Sequence, residues 1–250
     1  ILVTSIAAQA AISVDNANLF EEVKALNDKK DEFIALASHE LKTPLASVHG
    51  YLQIMNRLIS DQQQKKYMAK ASQQVLKLTS LVNDLLDISK IEAGKLKFTV
   101  AEFDIHQVVT EAIELIQHGT ERHEITFQSN TLQCIINGDG RRIEQVIINL
   151  LTNAIKYSPE GDKVEVELKA RERDVLVSVK DFGPGVPKTQ LKNIFTRFHR
   201  IDDASPIVSG LGIGLYLAKE IISRHNGQIW AESKLGKGSS FYVSLPLNQV

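Results

Sequence analysis

Apolar residues recur with helical spacing over the first third of the chain. Ile12, Leu19, Leu26 and Phe33 are seven apart, Val23 and Ala37 extend the seam, and Asn16 and Lys30 interrupt it. Such spacing keeps one residue in every two turns on the same face, as in a coiled coil. The seam runs through a charged segment, EEVKALNDKKDE. No Pro or Gly precedes Pro44. The spacing therefore predicts one helix from about Ile6 past Leu52, bent at Pro44. Polar residues at 60–64 mark a turn, and Met68, Val75, Leu78, Val82, Leu85, Leu86 and Ile88 predict a second helix. It stops near Ala93-Gly94, where a glycine suits a C-terminal cap. Two amphipathic helices joined by a short polar turn predict an antiparallel hairpin. One hairpin cannot bury both of its apolar stripes, whereas two can, as a four-helix bundle. A parallel dimer through the hairpin is expected, with an intramolecular partner outside this chain as the alternative.

After Gly94 the periods shorten and alternate. LKFTVAEF reads as a strand, a helix fits Ile105 to Gln117, and EITFQS and LQCIIN read as short strands. A strong helix fits Gly140 to Tyr157 and ends at Ser158-Pro159-Glu160-Gly161. KVEVELKA and DVLVSVKD form a hairpin-like pair, followed by a loop and short helix to about Arg200. A polar stretch, IDDASPIVSG, leads to a helix from Leu211 to about His225, and GQIWAES and SSFYVSLP close as a second hairpin. Interleaved helices and hairpin-linked strands predict an α+β two-layer sandwich, with helices on one face of a mixed sheet. The chain is thus expected to be multidomain: a helical segment over 1–30, a helical hairpin over 31–93, and the sandwich over 96–250.

Composition narrows the class. At about 100–200 residues per domain, 250 residues allow one large or two ordinary domains. A 43% hydrophobic and 24% charged chain is not wholly disordered. The net charge of −1 provides no basic field for nucleic acid, so no nucleic-acid partner is expected. No apolar run approaches about 18 residues, so no membrane segment is expected in this chain. Cys134 is the lone cysteine, which excludes an intrachain disulfide and a Cys-rich zinc site. A reducing, cytoplasmic compartment fits. The start, Ile-Leu-Val-Thr, has no initiator methionine or leader pattern, as expected of a piece of a longer protein that could itself be membrane-attached.

Chemistry concentrates in four places. Gly183 and Gly185 lie in DFGPGVP directly after a strand, with Asp181 offering a carboxylate that can accept from an exocyclic amino group. Gly210, Gly212 and Gly214 open a helix, where small residues let backbone N–H groups approach an anion. No Walker-type phosphate loop is present. Asn149 and Asn153, four apart, share a helix face, with Lys156 and Tyr157 one turn further on. Such a pair suits a cation and a polyphosphate, because Mg²⁺ takes few protein ligands and keeps waters and phosphate oxygens. His39 lies off the apolar stripe of Phe33, Ala37, Leu41, Pro44, Val48 and Leu52, beside Glu40 and one turn before Thr43. A neutral imidazole is a usable phosphoryl acceptor, and a neighbouring carboxylate can fix its tautomer. An ordinary exposed histidine remains the alternative for His39 alone.

These pieces occur together and in order. SHELKTPL resembles the H-box of bacterial sensor histidine kinases, NLLTNAIKYS the N-box, DFGPGVP the G1 box, IFTRFHR the F-box and GLGIGL the G2 box. The resemblance implies a dimerisation and histidine-phosphotransfer domain followed by a Bergerat-type catalytic domain. It implies ATP and Mg²⁺ as cofactors, a response-regulator receiver domain as partner, and phosphatase activity on that regulator. By position, His39 would be the phosphoacceptor, Glu40 would assist it, and Thr43 would orient a hydrolytic water. Asn153 would bind Mg²⁺, with Asn149 near the phosphates and Lys156 and Tyr157 flanking the nucleotide. Asp181 would read adenine in a pocket shaped by Gly183 and Gly185, with Ser240 adding a polar contact. Gly210, Gly212 and Gly214 would line the phosphates, and 200–209 would form a lid carrying Arg200. Leu211 departs from the pattern, since many relatives have Thr there. The first 26 residues resemble the last helix of a GAF sensor domain.

Two other readings compete. One is a freestanding ATPase of the gyrase and heat-shock superfamily, which resembles this domain but places a water-activating Glu where this chain has Asn149. The other is a catalytically silent dimeric scaffold.

Overall fold

The structure is a computed structural model, and it describes residues 13–14, 16–24, 41–43, 45–57, 61–120, 122–158, 161–199 and 212–247. The chain divides into two compact units, Ile1–Leu96 and Lys97–Val250.

In the first unit the described residues between 13 and 24 are helical, as are 41–43 and 45–57 (α1). Helix α2 spans Gln62–Glu92. It starts where it does because Asp61 Oδ1 accepts from the Gln63 and Gln64 N–H groups, at 2.8 and 2.9 Å, satisfying two donors of the first turn. Its end is set by Gly94, which takes φ +65° and lets the Lys95 N–H return to the Lys90 carbonyl at 2.7 Å. Lys42 Nζ donates to Asn83 Oδ1 at 3.2 Å, linking α1 to the later part of α2. Met68, Val82, Ile88 and Ile91 are buried, but Leu41, Val48, Ile54, Met55, Leu76 and Leu78 stay exposed.

The second unit runs β1 (Ala101–Asp104), α3 (Ile105–His118), β2 (Glu124–Ser129), β3 (Ile135–Gly138), α4 (Gly140–Lys156), β4 (Lys163–Ala170), β5 (Asp174–Lys180), α5 (Gly214–Arg224), β6 (Gln228–Lys234) and β7 (Gly238–Pro246). Five strands make one sheet in the order β2-β4-β5-β7-β6, parallel only between β2 and β4. Val164, Val166 and Leu168 alternate with Lys163, Glu165 and Glu167, so one face is apolar and the other polar. Helix α4 packs between α3 and α5 and against β4 and β5, which makes two layers. The polar face carries Lys163 and Lys180, both paired to Glu165, and Trp230 stacked on Tyr242.

Three local expectations differ from the structure. Of LKFTVAEF only the last three residues are strand, as the start of β1 (Ala101–Asp104), which pairs with β3 in a separate two-stranded sheet. The short helix before Arg200 is instead a run of turns, with single bonds such as Leu191 N–H to Pro187 O. Helix α5 begins at Gly214 rather than Leu211, because Gly212 takes φ +69° and cannot continue a right-handed helix.

Asp104 and Asp139 cap α3 and α4. The Asp139 N–H also donates to His225 Nε2 at 2.8 Å, and His225 Nδ1 lies 2.8 Å from the Ile221 carbonyl. The ring proton must therefore sit on Nδ1. This bond ties the end of α5 to the start of α4, and a Cβ at Gly138 would lie 2.5 Å from the ring.

Candidate functional site

Helix α4 buries Ile143, Val146, Ile147, Leu150, Leu151 and Ala154, which turns Asn149 and Asn153 toward the opposite, half-buried side. Asn153 Nδ2 donates to Asn149 Oδ1 at 3.4 Å. The Asn149 Nδ2 is buried and has no partner among the described residues. A buried amide donor left unpaired costs about 1–3 kcal/mol, so this group points to a ligand. Asn153 Oδ1 likewise accepts no bond among the described residues. A Cβ at Gly214 would sit 2.3 Å from Asn149 Oδ1, so the start of α5 rests on this amide pair. At Gly212 a Cβ would meet the His199 carbonyl at 2.6 Å, so 198–199 pass directly against the chain entering α5.

Asp181 directly follows strand β5 and is 4% exposed. Its Oδ1 accepts from Gly183 N–H at 2.9 Å and Ser239 N–H at 3.2 Å. Both bonds fall on one oxygen, and Oδ2 accepts none among the described residues. Burial raises the Asp181 carboxyl above the usual range, and the two backbone donors oppose that rise. A Cβ at Gly183 would be 2.3 Å from the Tyr157 carbonyl, which presses this loop onto the end of α4. Gly185 has φ +75° and lies against the Lys234 carbonyl. Lys156 Nζ sits 4.9 Å over the Tyr157 ring.

The sequence-predicted residues thus fall into groups. Asn149, Asn153 and Gly214 come together, as do Tyr157, Asp181 and Gly183. Ser240 does not join them. It is paired with Lys180 and Glu232 and alternates with buried Ser239 and Phe241, so it faces the polar side of the sheet. Sequence reasoning missed Ser239, one residue earlier. Its N–H meets Asp181, its carbonyl accepts from Asp181 N–H at 2.8 Å, and its Oγ lies 3.0 Å from Ser233 Oγ. The strand alternation SSFYV held the signal, because Ser239 shares parity with Phe241. An open cavity of about 270 Å³ borders Asp181 on the side of Lys180, Glu232 and Ser240. Asp181 and Ser239 line it but neither asparagine does. Thr43 is helical and exposed, and its carbonyl accepts from Ser47 Oγ at 3.2 Å. His39, Glu40, Arg200, Gly210 and Leu211 lie outside the described residues.

Comparison with known proteins agrees with this geometry. Residues 29–94 match the His Kinase A (phospho-acceptor) domain, and 138–249 match the histidine kinase-, DNA gyrase B- and HSP90-like ATPase family. The sensor histidine kinase WalK of Bacillus subtilis is 33% identical over 239 residues, covering 91% of this chain and 38% of WalK. The adaptive-response sensory kinase SasA of Thermosynechococcus vestitus is 34% identical over 229 residues, covering 87% and 60%. Among solved structures, full-length ShkA in complex with AMPPNP superposes with a TM-score of 0.71 at 27% identity, covering 88% of this chain and 46% of ShkA. This chain spans less than two thirds of the length of these curated relatives. It belongs to the histidine kinases, as a core that joins a phospho-acceptor domain to an ATPase-type domain.

Proposed function

We propose that the chain autophosphorylates on His39 from Mg-ATP and passes the phosphoryl group to an aspartate of a response-regulator receiver domain. The observation that carries this reading is the buried Nδ2 of Asn149 beside the Oδ1 of Asn153, neither with a partner among the described residues. An amide donor facing a phosphate oxygen and an amide oxygen facing a cation are what a Mg-polyphosphate requires. The Oδ2 of Asp181 supplies an acceptor for the adenine amino group. When bound, Mg²⁺ neutralises charge on the β- and γ-phosphate oxygens.

The chain's own residues then divide the work. A lone pair on the His39 imidazole attacks the γ-phosphorus, the bond to the β-phosphate oxygen breaks, and ADP leaves. The second ring nitrogen keeps its proton, and Glu40 stabilises the charging ring. Asn149 carries no carboxylate to activate water, which favours transfer over direct hydrolysis. Thr43, one turn from His39, would position the water that hydrolyses the regulator's aspartyl phosphate. Gly210, Gly212 and Gly214 would line the phosphates with Leu211 between them, and Arg200 would sit in the lid segment 200–209. Lys156 and Tyr157 would flank the nucleotide and Gly185 its base pocket. The segments 1–30, 31–93 and 96–250 would be the signalling helix, the dimeric phosphotransfer domain and the catalytic domain.

Incubation with γ-labelled Mg-ATP tests this directly. The label should be acid-labile and base-stable, and His39→Ala should abolish it while retaining ATP binding. Undiminished labelling of His39→Ala, or acid-stable label, overturns the reading.

A further inference from the structure

His123 lies in the loop between α3 and β2, far in sequence from every motif of the nucleotide site. It is nonetheless 4% exposed, and its Nε2 is 2.8 Å from the Ser158 carbonyl. A carbonyl oxygen only accepts, so Nε2 is the donor. Ser158 is fully buried and directly follows Lys156 and Tyr157 at the end of α4. The Ser158 carbonyl takes two donors, His123 Nε2 and the Gly161 N–H at 3.0 Å, and only His123 reaches it from outside the 158–161 turn.

The anchor is itself held in place. The Gln117 side chain donates to the His123 carbonyl at 2.9 Å and to the Thr120 carbonyl at 3.3 Å. Its Oε1 accepts from Ile125 N–H at 2.8 Å. One glutamine thus clamps the loop on both sides of His123, with its ring already placed for the bond to Ser158.

On the far side of Ser158 the contacts continue into the site. The Tyr157 carbonyl presses on Gly183, where a Cβ would lie 2.3 Å away. Gly183 N–H is one of the two donors on Asp181 Oδ1. The sequence of contacts runs from Gln117 through His123, Ser158, Tyr157 and Gly183 to the carboxylate facing the base.

We infer that His123 is a positioning residue for the base end of the nucleotide site, fixing Tyr157 and the Asp181 loop through its bond to Ser158. The inference rests on the nucleotide-binding reading above and deepens it by assigning a determinant of base selectivity. Without the donor, the end of α4 loses one fixed point and the Tyr157 carbonyl no longer holds Gly183 in register. Asp181 Oδ2 then sits less well for an amino group, and the cost falls on ATP rather than on GTP, which presents a carbonyl at that position.

Calorimetric titration of the whole chain with ATP and with GTP, on wild type, His123→Phe and His123→Gln, provides the test. Phenylalanine keeps the ring volume without a donor, and glutamine restores a donor. The expected result is a loss of about tenfold in ATP affinity for His123→Phe, with little change for GTP, and recovery in His123→Gln. A residue that only stabilised the fold would lower the melting temperature and leave the ATP-to-GTP ratio unchanged, so an unchanged ratio in His123→Phe overturns the inference. Should His123→Phe fail to fold, His123→Asn, whose shorter amide falls short of Ser158, takes its place under the same criterion. A wild type that does not prefer ATP overturns the adenine reading itself, and this inference with it.

Discussion

In the proposed function Asp181 and the two asparagines divide the nucleotide between them, and substitutions should separate their roles. Asp181→Ala removes the acceptor for the base and leaves the Gly183 and Ser239 N–H groups without their partner. In the complex the adenine amino group would then be buried without its acceptor, at about 1–3 kcal/mol, so ATP affinity should fall by roughly ten- to a hundredfold. Asn153→Ala removes the amide oxygen proposed for the cation, together with the 3.4 Å bond to Asn149 Oδ1. Nucleotide binding in the absence of Mg²⁺ should be little changed, while the Mg²⁺-dependent gain in affinity and the phosphorylation of His39 should disappear. Titrations with and without Mg²⁺ check both expectations, and equal losses for the two variants in metal-free buffer would contradict the division of roles. Parity along β7 puts Ser239 on the buried side with Phe241 and Ser240 on the polar side. Adjacent strand residues face opposite sides, so a shift of one position exchanges the buried side for the polar one.

Helix α2 carries a charge where burial is costly. The Asp84 carboxyl is pushed from 3.8 up to about 6, first by burial and then by the neighbouring charge of Asp87. The folded chain therefore holds this proton more tightly than the unfolded chain does. The associated stability is complete below pH 3.8 and is lost as the pH rises through about 6. Asp84→Asn should consequently stabilise the first unit near pH 7.5, by about 1–3 kcal/mol after allowance for its remaining solvent contact. It should make almost no difference near pH 3.8. Urea unfolding followed at both pH values decides the matter, and an equal effect at both would refute an electrostatic origin. The same helix ends at Gly94 for a backbone reason, the left-handed conformation that closes its last turn, which composition alone already signalled.

At the scale of the molecule the two units differ in how completely each covers itself. The second unit buries its apolar sheet face under three helices. In the first, Leu41, Val48, Ile54, Met55, Leu76 and Leu78 remain exposed on two helices. A second copy of the hairpin would cover them as a four-helix bundle. Leu41→Glu distinguishes a dimer from a self-sufficient monomer. At a position exposed within one chain, the charge is harmless to a monomer, but in a bundle core it would be buried without a partner. Sedimentation should show a wild-type dimer and a Leu41→Glu monomer at micromolar concentration, and a folded wild-type monomer would remove the bundle.

Local chemistry alone determined a large part of this protein. Valine-rich alternation in KVEVELKA and DVLVSVKD is legible because a strand with one wet face must alternate, and the observed strands cover those residues. The helix carrying Asn149 and Asn153 is legible because its apolar spacing leaves one face for amides. Elements that depend on partners were not legible. LKFTVAEF has strand chemistry throughout, yet of it only Ala101, Glu102 and Phe103 find β3 to pair with, and a strand is defined by its neighbour. The segment before Arg200 has turn-sized bonds that no pattern resolves from a short helix. The parallel pairing of β2 with β4, the contact of Gly214 with Asn149, and the bond from His123 to Ser158 join residues 35 or more apart along the chain. Spacing within one helix or strand carries no information about such contacts. They arise when layers pack, and that packing leaves the Asn149 Nδ2 buried and without a partner among the described residues.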